Sequence, residues 1–186
     1  MIFICGYHNT GKTTIAKKLI SFGFFHIETG DLVRNLYKDN NSKINFYDWT
    51  AAITKNNIHY FDKHIINNIL KSQQKIKKDV IITGNRQLSG IKYIISKTHH
   101  NPHFKNIIIY LKAPCKELYK RQLGRTDKII KNLNKDKFIN DYLGFDKSMG
   151  IDKIELSADY IINSDNSKEL VIQQIIEILR LNNYKL

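Results

Sequence analysis

Residues 1–13 read Met1-Ile2-Phe3-Ile4-Cys5-Gly6-Tyr7-His8-Asn9-Thr10-Gly11-Lys12-Thr13, and residues 12–20 continue as Lys-Thr-Thr-Ile-Ala-Lys-Lys-Leu-Ile. An apolar run with strand character is followed at once by the pattern GxxxxGK[ST], and that by a segment with helical period. The order matters, because this loop cradles phosphates only when a strand delivers it and a helix N-terminus closes it. Gly6 and Gly11 let successive backbone N–H groups turn inward, and the helix start adds partial positive charge. Gly6, Asn9, Thr10, Gly11, Lys12, Thr13 and Thr14 are therefore the candidate residues for a nucleoside triphosphate. Lys12 is expected to reach the β- and γ-phosphates and Thr13 to ligate Mg²⁺. Tyr7 and His8 are expected to contribute backbone alone.

Outward from this loop, short Ile-rich runs recur at 1–5, 24–28, 79–83, 106–111 and 159–163. Consecutive apolar positions are what strands buried on both faces require. Between them lie helical patterns at 12–21, 29–38, 58–77, 87–100, 115–124, 135–148 and 167–182, the last with Leu170, Val171, Ile175, Ile178 and Leu179 on one face. Strand–helix alternation through the whole chain predicts an α/β protein: a five-stranded parallel sheet between two helical layers, joined by right-handed crossovers. No repeat, linker or composition break divides residues 1–186. The Asn- and Lys-rich stretches at 38–45 and 126–137 read as mobile surface insertions.

The chain has 186 residues, 42% of them hydrophobic, enough for one domain with its own core. No run approaches the roughly 20 apolar residues that cross a bilayer, and the first residues lack the basic and small-residue features of a secretory leader. A soluble cytoplasmic protein with no membrane partner is expected. Cys5 and Cys115 lack metal-ligand or CxxC spacing and read as packing residues. Three histidines, His99, His100 and His103, fall in a connection without nearby Cys or carboxylate and read as a solvated loop rather than a metal site.

The formal charge is +13, which raises nucleic acid as a partner. Lys, Asn and Ile, all with A/T-rich codons, make up 75 of the 186 residues, and the lysines are scattered rather than banked. Genome bias thus accounts for the charge more simply, and nucleic acid is the less favoured alternative. Arginine is more informative, because only its planar fork grips phosphate bidentately. The five are Arg34, Arg86, Arg121, Arg125 and Arg180.

Three of the strand ends carry arginines or acids in a recognisable order. Ile27-Glu28-Thr29-Gly30-Asp31-Leu32-Val33-Arg34 follows the second, Ile82-Thr83-Gly84-Asn85-Arg86-Gln87 the third, and Leu111-Lys112-Ala113-Pro114, leading to Arg121 and Arg125, the fourth. With the phosphate loop, these segments resemble the nucleoside monophosphate kinase superfamily, including adenylate-kinase-like and dephospho-CoA-kinase-like P-loop kinases. The closing Ser157-Ala158-Asp159-Tyr160-Ile161-Ile162-Asn163 is similar to the terminal strand of such kinases, and places Asn163-Ser164-Asp165 near the adenine end of the donor. The resemblance runs from residue 2 to about 180. It implies strand order 2-3-1-4-5, an acceptor-binding insertion at about 29–77 and a short lid at about 121–149. It also implies ATP and Mg²⁺ as cofactors and a small-molecule nucleotide substrate.

By the same resemblance, Thr29, Gly30, Asp31, Arg34, Gly84, Arg86 and Gln87 would bind the acceptor, with Arg34 and Arg86 on its phosphate. Lys12, Arg121 and Arg125 would carry catalysis, the two lid arginines over the migrating phosphoryl group. One position departs from the pattern. The acidic residue expected before Gly84, which holds a magnesium-bound water in the family, is Thr83 here, so Glu28 or Asp31 is expected to supply the carboxylate. Phosphoryl transfer to a nucleoside or deoxynucleoside monophosphate is the leading expectation. A hydroxyl acceptor on dephospho-CoA, a nucleotide or a polynucleotide, with Glu28 or Asp31 as base, stays open. So does a non-catalytic ATP-binding module, for which Thr83 speaks. The absence of an NKxD-type motif argues against a GTPase. Trp49, Tyr47 and Phe46 lie where these kinases close over the acceptor base, and stacking and core packing are equal readings for them. Oligomeric state is left open by the sequence.

Overall fold

The computed structural model describes residues 1–76, 78–98, 105–126 and 133–186. Five strands, β1 (Ile2–Cys5), β2 (Phe25–Glu28), β3 (Val80–Thr83), β4 (Ile107–Lys112) and β5 (Tyr160–Asn163), form one parallel sheet in the order β2-β3-β1-β4-β5. This is the order that the family resemblance implied. Each strand falls within a residue of an apolar run, because an Ile-rich pentad can bury both faces only inside a covered sheet.

Alternate strand residues face opposite layers. Phe3, Cys5, Val80, Ile82, Ile108 and Tyr110 point to the side covered by α4 (Tyr60–Ile76), α5 (Leu88–Thr98) and α9 (Ile151–Glu155). Ile2, Ile4, Ile81, Ile107, Ile109 and Leu111 point to the side covered by α1 (Lys12–Ile20) and α10 (Lys168–Leu181), through Ile15, Ala16, Leu19, Val171, Ile175 and Leu179. Cys5 lies wholly inside the first layer, its thiol pushed up to about 12 by burial, and Cys115 is half-buried; both are free.

Helices α2 (Thr29–Asp39) and α6 (Cys115–Leu123) match the periodicity, while three regions differ. An additional helix, α3, spans Phe46–Asn56. Asn45 starts it by accepting from the N–H groups of Tyr47 and Asp48. Its aromatic residues serve two surfaces rather than one, with Trp49 buried and Tyr47 exposed, which hides a single-face period. The expected helix at 135–148 is divided into α7 (Lys135–Lys137), a π-helical segment (Phe138–Leu143) and α8 (Gly144–Ser148). The five-residue α9 is too short to leave a periodic trace. The three clustered histidines, and residues 127–132 of the expected lid, lie outside the described residues. Among the described residues no helix is long and apolar enough to cross a membrane.

Ile109, with no exposed surface, is packed between β1 and β5 and under α10. Ile109→Ala is expected to lower unfolding stability by about 2–5 kcal/mol, measured by urea denaturation with an unchanged m-value.

Candidate functional site

The C-terminal ends of the parallel strands converge on the loop after β1. There Gly6, Asn9 and Gly11 adopt positive φ of 136°, 64° and 92°, a curl that turns backbone N–H groups into the concavity. A side chain at Gly6 would collide with the Leu111 carbonyl of β4. Lys12 folds across this curl, its Nζ donating to the carbonyls of Gly6 (2.8 Å) and Tyr7 (2.5 Å) and to Thr10 Oγ1 (3.1 Å). Burial draws the ammonium down to about 8. A cation enclosed among loop acceptors is poised for a polyanion that would replace them.

Thr83 and Glu28 explain each other. They are Cα partners in the β2–β3 register, so the side chain missing its charge on β3 has a carboxylate beside it on β2. The Thr83 hydroxyl donates to Glu28 Oε2 at 2.7 Å, and Thr13 Oγ1 of the phosphate loop donates to the same oxygen at 3.0 Å. His26 Nε2 contacts the Thr83 hydroxyl at 2.7 Å and completes the chain. Gly84, at φ 88°, leaves the space that Glu28 Oε1 fills. Between the two expected carboxylates, Glu28 reaches the phosphate loop. Asp31 turns outward instead, taking Arg34 Nη2 at 2.6 Å on the exposed side of α2. The Thr13 hydroxyl and Glu28 carboxylate form an oxygen-only donor set that suits Mg²⁺, so the residues present fit the expected metal.

Asp146 of α8 was not legible as a site residue. Its side chain is fully buried, accepting at Oδ2 from the backbone N–H of His8 (2.7 Å) and from His8 Nδ1 (2.8 Å). Its Oδ1 makes a close ion contact with Arg86 Nε at 2.5 Å, and Arg86 Nη2 lies 2.8 Å from His8 Nε2. Burial opposes the Asp146 charge, yet the His8 hydrogen bonds and the Arg86 guanidinium outweigh it and hold the carboxyl below the usual range. Burial also lowers the His8 pKa, in spite of Asp146. A neutral ring then donates from Nδ1 to Asp146 and accepts at Nε2 from Arg86. Contrary to the sequence reading, His8 contributes its side chain. Arg86 also lies over the Phe145 ring at 5.4 Å.

Arg121 and Arg125 both converge on Asn9. Arg121 Nη1 donates to the Asn9 carbonyl (3.3 Å) and Nη2 to the Ser164 carbonyl (2.6 Å), while Glu117 holds Nε (3.0 Å). Arg125 lies beyond the last residue of α6 and donates from Nη1 to Asn9 Oδ1 at 3.0 Å. Beside them a cavity of about 250 Å³ is lined by Thr10, Gly11, Thr14, Arg121, Ser164 and Asn166. It sits where the turn after β5 was expected to meet the donor's adenine.

A second cavity, of about 570 Å³, opens on the other side of the loop. Thr29, Gly30, Arg34, Gly84, Arg86 and Gln87, six of the seven expected acceptor residues, line it; Asp31 does not. Phe46, Tyr47 and Phe61 form one wall and Tyr142 and Phe145 another, with the Tyr47 and Phe145 rings 5.9 Å apart between α3 and α8. Trp49 lies behind this wall against Tyr37 and Phe61, so it packs while Phe46 and Tyr47 face the cavity. Among the described residues no cluster of three His, Cys, Asp or Glu forms a metal site.

A five-stranded 2-3-1-4-5 sheet with a phosphate loop after its central strand is the fold of P-loop small-molecule kinases. The chain belongs to the AAA domain family, whose model matches residues 5–137. No curated protein sequence matches it. Among solved structures, shikimate kinase from Bacteroides thetaiotaomicron is similar at 16% identity and TM-score 0.63, covering 96% of this chain and 97% of that one. A Thermus thermophilus protein is similar at 13% identity and TM-score 0.64, covering 97% and 96%. An uncharacterized protein from Eubacterium ventriosum follows at 17% and 0.59, covering 96% and 97%. At these identities the likeness is one of fold.

A carboxyl with a lowered folded pKa stabilises a protein above its unfolded value of about 3.9, and that contribution is lost as pH falls through the folded value. Asp146→Asn is therefore expected to cost about 1–3 kcal/mol at neutral pH and to remove part of the acid limb of the stability profile. Urea unfolding from about pH 7 down through the carboxylate range checks both, since the gap between the two proteins should narrow as pH falls.

Proposed function

We propose that this chain transfers the γ-phosphoryl group of ATP to a nucleoside or deoxynucleoside monophosphate. The observation that carries the reading is the placement of two cavities on opposite sides of one phosphate loop, with cations on both. The smaller, beside Ser164 and Arg121, suits the donor's base, and the larger, with Arg34, Arg86 and aromatic walls, suits an acceptor that bears both a phosphate and a ring. The kinase fold supports an ATP-dependent phosphotransferase in general, and the monophosphate acceptor rests on these side chains.

In this reading Lys12 leaves its loop acceptors for the donor's β- and γ-phosphates, and the inward N–H groups share their charge. Thr13, with Glu28 behind it, would hold Mg²⁺, which when bound offsets phosphate charge. Arg86, locked by Asp146, His8 and Phe145, holds the acceptor phosphate in line, and Arg34, steered by Asp31, reaches it from α2. Arg121 and Arg125 leave Asn9 for the transferring oxygens. Such positioning and charge dispersal supply most of the acceleration in phosphoryl transfer. An acceptor phosphate is already ionised and needs no base. Glu28 favours a second reading, a hydroxyl acceptor whose proton it takes.

A coupled ADP-release assay with Mg-ATP, run against ribo- and deoxynucleoside monophosphates, dephospho-CoA and a 5′-hydroxyl oligonucleotide, separates the readings. Turnover is expected with one or a few monophosphates. Lys12→Ala is expected to lower it at least about 100-fold; unchanged turnover would remove the phosphate loop from the mechanism. Glu28→Gln is expected to lower kcat by about 10–100-fold and to raise the Mg²⁺ concentration needed, with a smaller change in the KM for the acceptor. Activity confined to dephospho-CoA or the oligonucleotide would favour the hydroxyl reading, and silence with measurable ATP binding a non-catalytic module.

A further inference from the structure

Two carboxylates line the larger cavity without a part in the scheme above, the exposed Asp141 and the largely buried Asp62. Asp62, in the first turn of α4, lines the cavity on the side formed by Phe61, Ile58 and Thr54, and its side chain is only 13% exposed. His59 Nδ1 meets Asp62 Oδ2 at 2.8 Å, and the His59 ring is itself fixed, stacked on Tyr93 at 3.9 Å with a 5° tilt. Among the described residues His59 is the one hydrogen-bond partner of the Asp62 side chain. Oδ1 lies against Gly90 at the start of α5, where a Cβ would stand 2.7 Å away. Burial raises the Asp62 pKa, as expected for a carboxyl with too few donors around it.

Resting on the nucleotide-acceptor reading, we infer that Asp62 reads the base of the acceptor and selects guanine. An ionised carboxylate only accepts hydrogen bonds, so the ring edge opposite it must donate. Guanine presents N1–H and the N2 amine side by side, two donors for two carboxylate oxygens. Hypoxanthine keeps N1–H and lacks the amine. Adenine and cytosine each set a ring nitrogen lone pair beside their amine, which would face a carboxylate oxygen. Uracil and thymine flank their single N–H with carbonyls. The flat aromatic walls take any base face and Asp141 is open to solvent, so discrimination falls to Asp62. Its orientation is held by His59 and by the room that Gly90 leaves.

The test is calorimetric binding of GMP, IMP, AMP, CMP and UMP to the full chain without ATP. GMP is expected to bind at least about tenfold more tightly than each of the others, the scale on which bidentate base contacts discriminate. In Asp62→Asn the carboxamide keeps an acceptor for His59 and turns an N–H toward the ligand. The GMP-to-UMP affinity ratio should then fall at least about tenfold. Gly90→Ala should push Oδ1 aside and lower the same ratio, whatever the overpacking does to Tm. Ratios are insensitive to the fraction of folded protein. A wild-type preference for any of the other four nucleotides, or a ratio that neither variant moves, would overturn the assignment of Asp62 alone. Failure of every monophosphate to bind would instead overturn the nucleotide-acceptor reading and this inference with it.

Discussion

Asp146 carries its charge with no exposed surface, so every oxygen lone pair it can use must be met by protein. The groups that meet it come from places far apart in the chain: the His8 backbone and ring in the phosphate loop, and Arg86 in the turn after β3. This one carboxylate therefore joins the phosphate loop, the turn after β3 and α8. Removing Arg86 from such a cluster is costly, because Asp146 is left charged and dry. The geometry of the larger cavity depends on it, since Arg86 and Phe145 keep their places only while α8 is docked.

A second constraint sits one strand away. The parallel register sets Glu28 and Thr83 at the same level. A carboxylate can therefore move from β3 to β2 and remain beside the loop hydroxyl of Thr13. The threonine left behind serves as a donor that aims the glutamate, and Gly84 keeps the approach open. The departure from the family pattern at residue 83 thus has a local compensation in the neighbouring strand.

The sheet was readable because Ile-rich runs can be satisfied in few ways, and the phosphate loop because its chemistry demands fixed spacing between β1 and α1. That Arg34, Arg86 and Gln87 share one cavity followed from the segments after β2 and β3 that carry the resemblance. Asp146, His8 and Asp62 were not readable. An aspartate in a charged, broken helical stretch such as Phe145-Asp146-Lys147-Ser148 looks solvated, and only the fold brings it beneath residue 8. The choice of Glu28 over Asp31 was likewise a matter of direction, set by the register of β2 and by which face of α2 turns outward. Helix α3 escaped because its aromatics are divided between the core and the cavity.

The proposed function requires that a phosphoryl group pass onward from one cavity to the other rather than to water, and the most direct check is the fate of that group. ATP labelled with ³²P at the γ-position would be incubated with Mg²⁺, the protein and a mixture of nucleoside monophosphates, and the products separated. Label in a nucleoside diphosphate, with little free phosphate, is the expected result. Label recovered only as inorganic phosphate would mean that the larger cavity does not hold the acceptor, and would contradict the phosphotransferase reading.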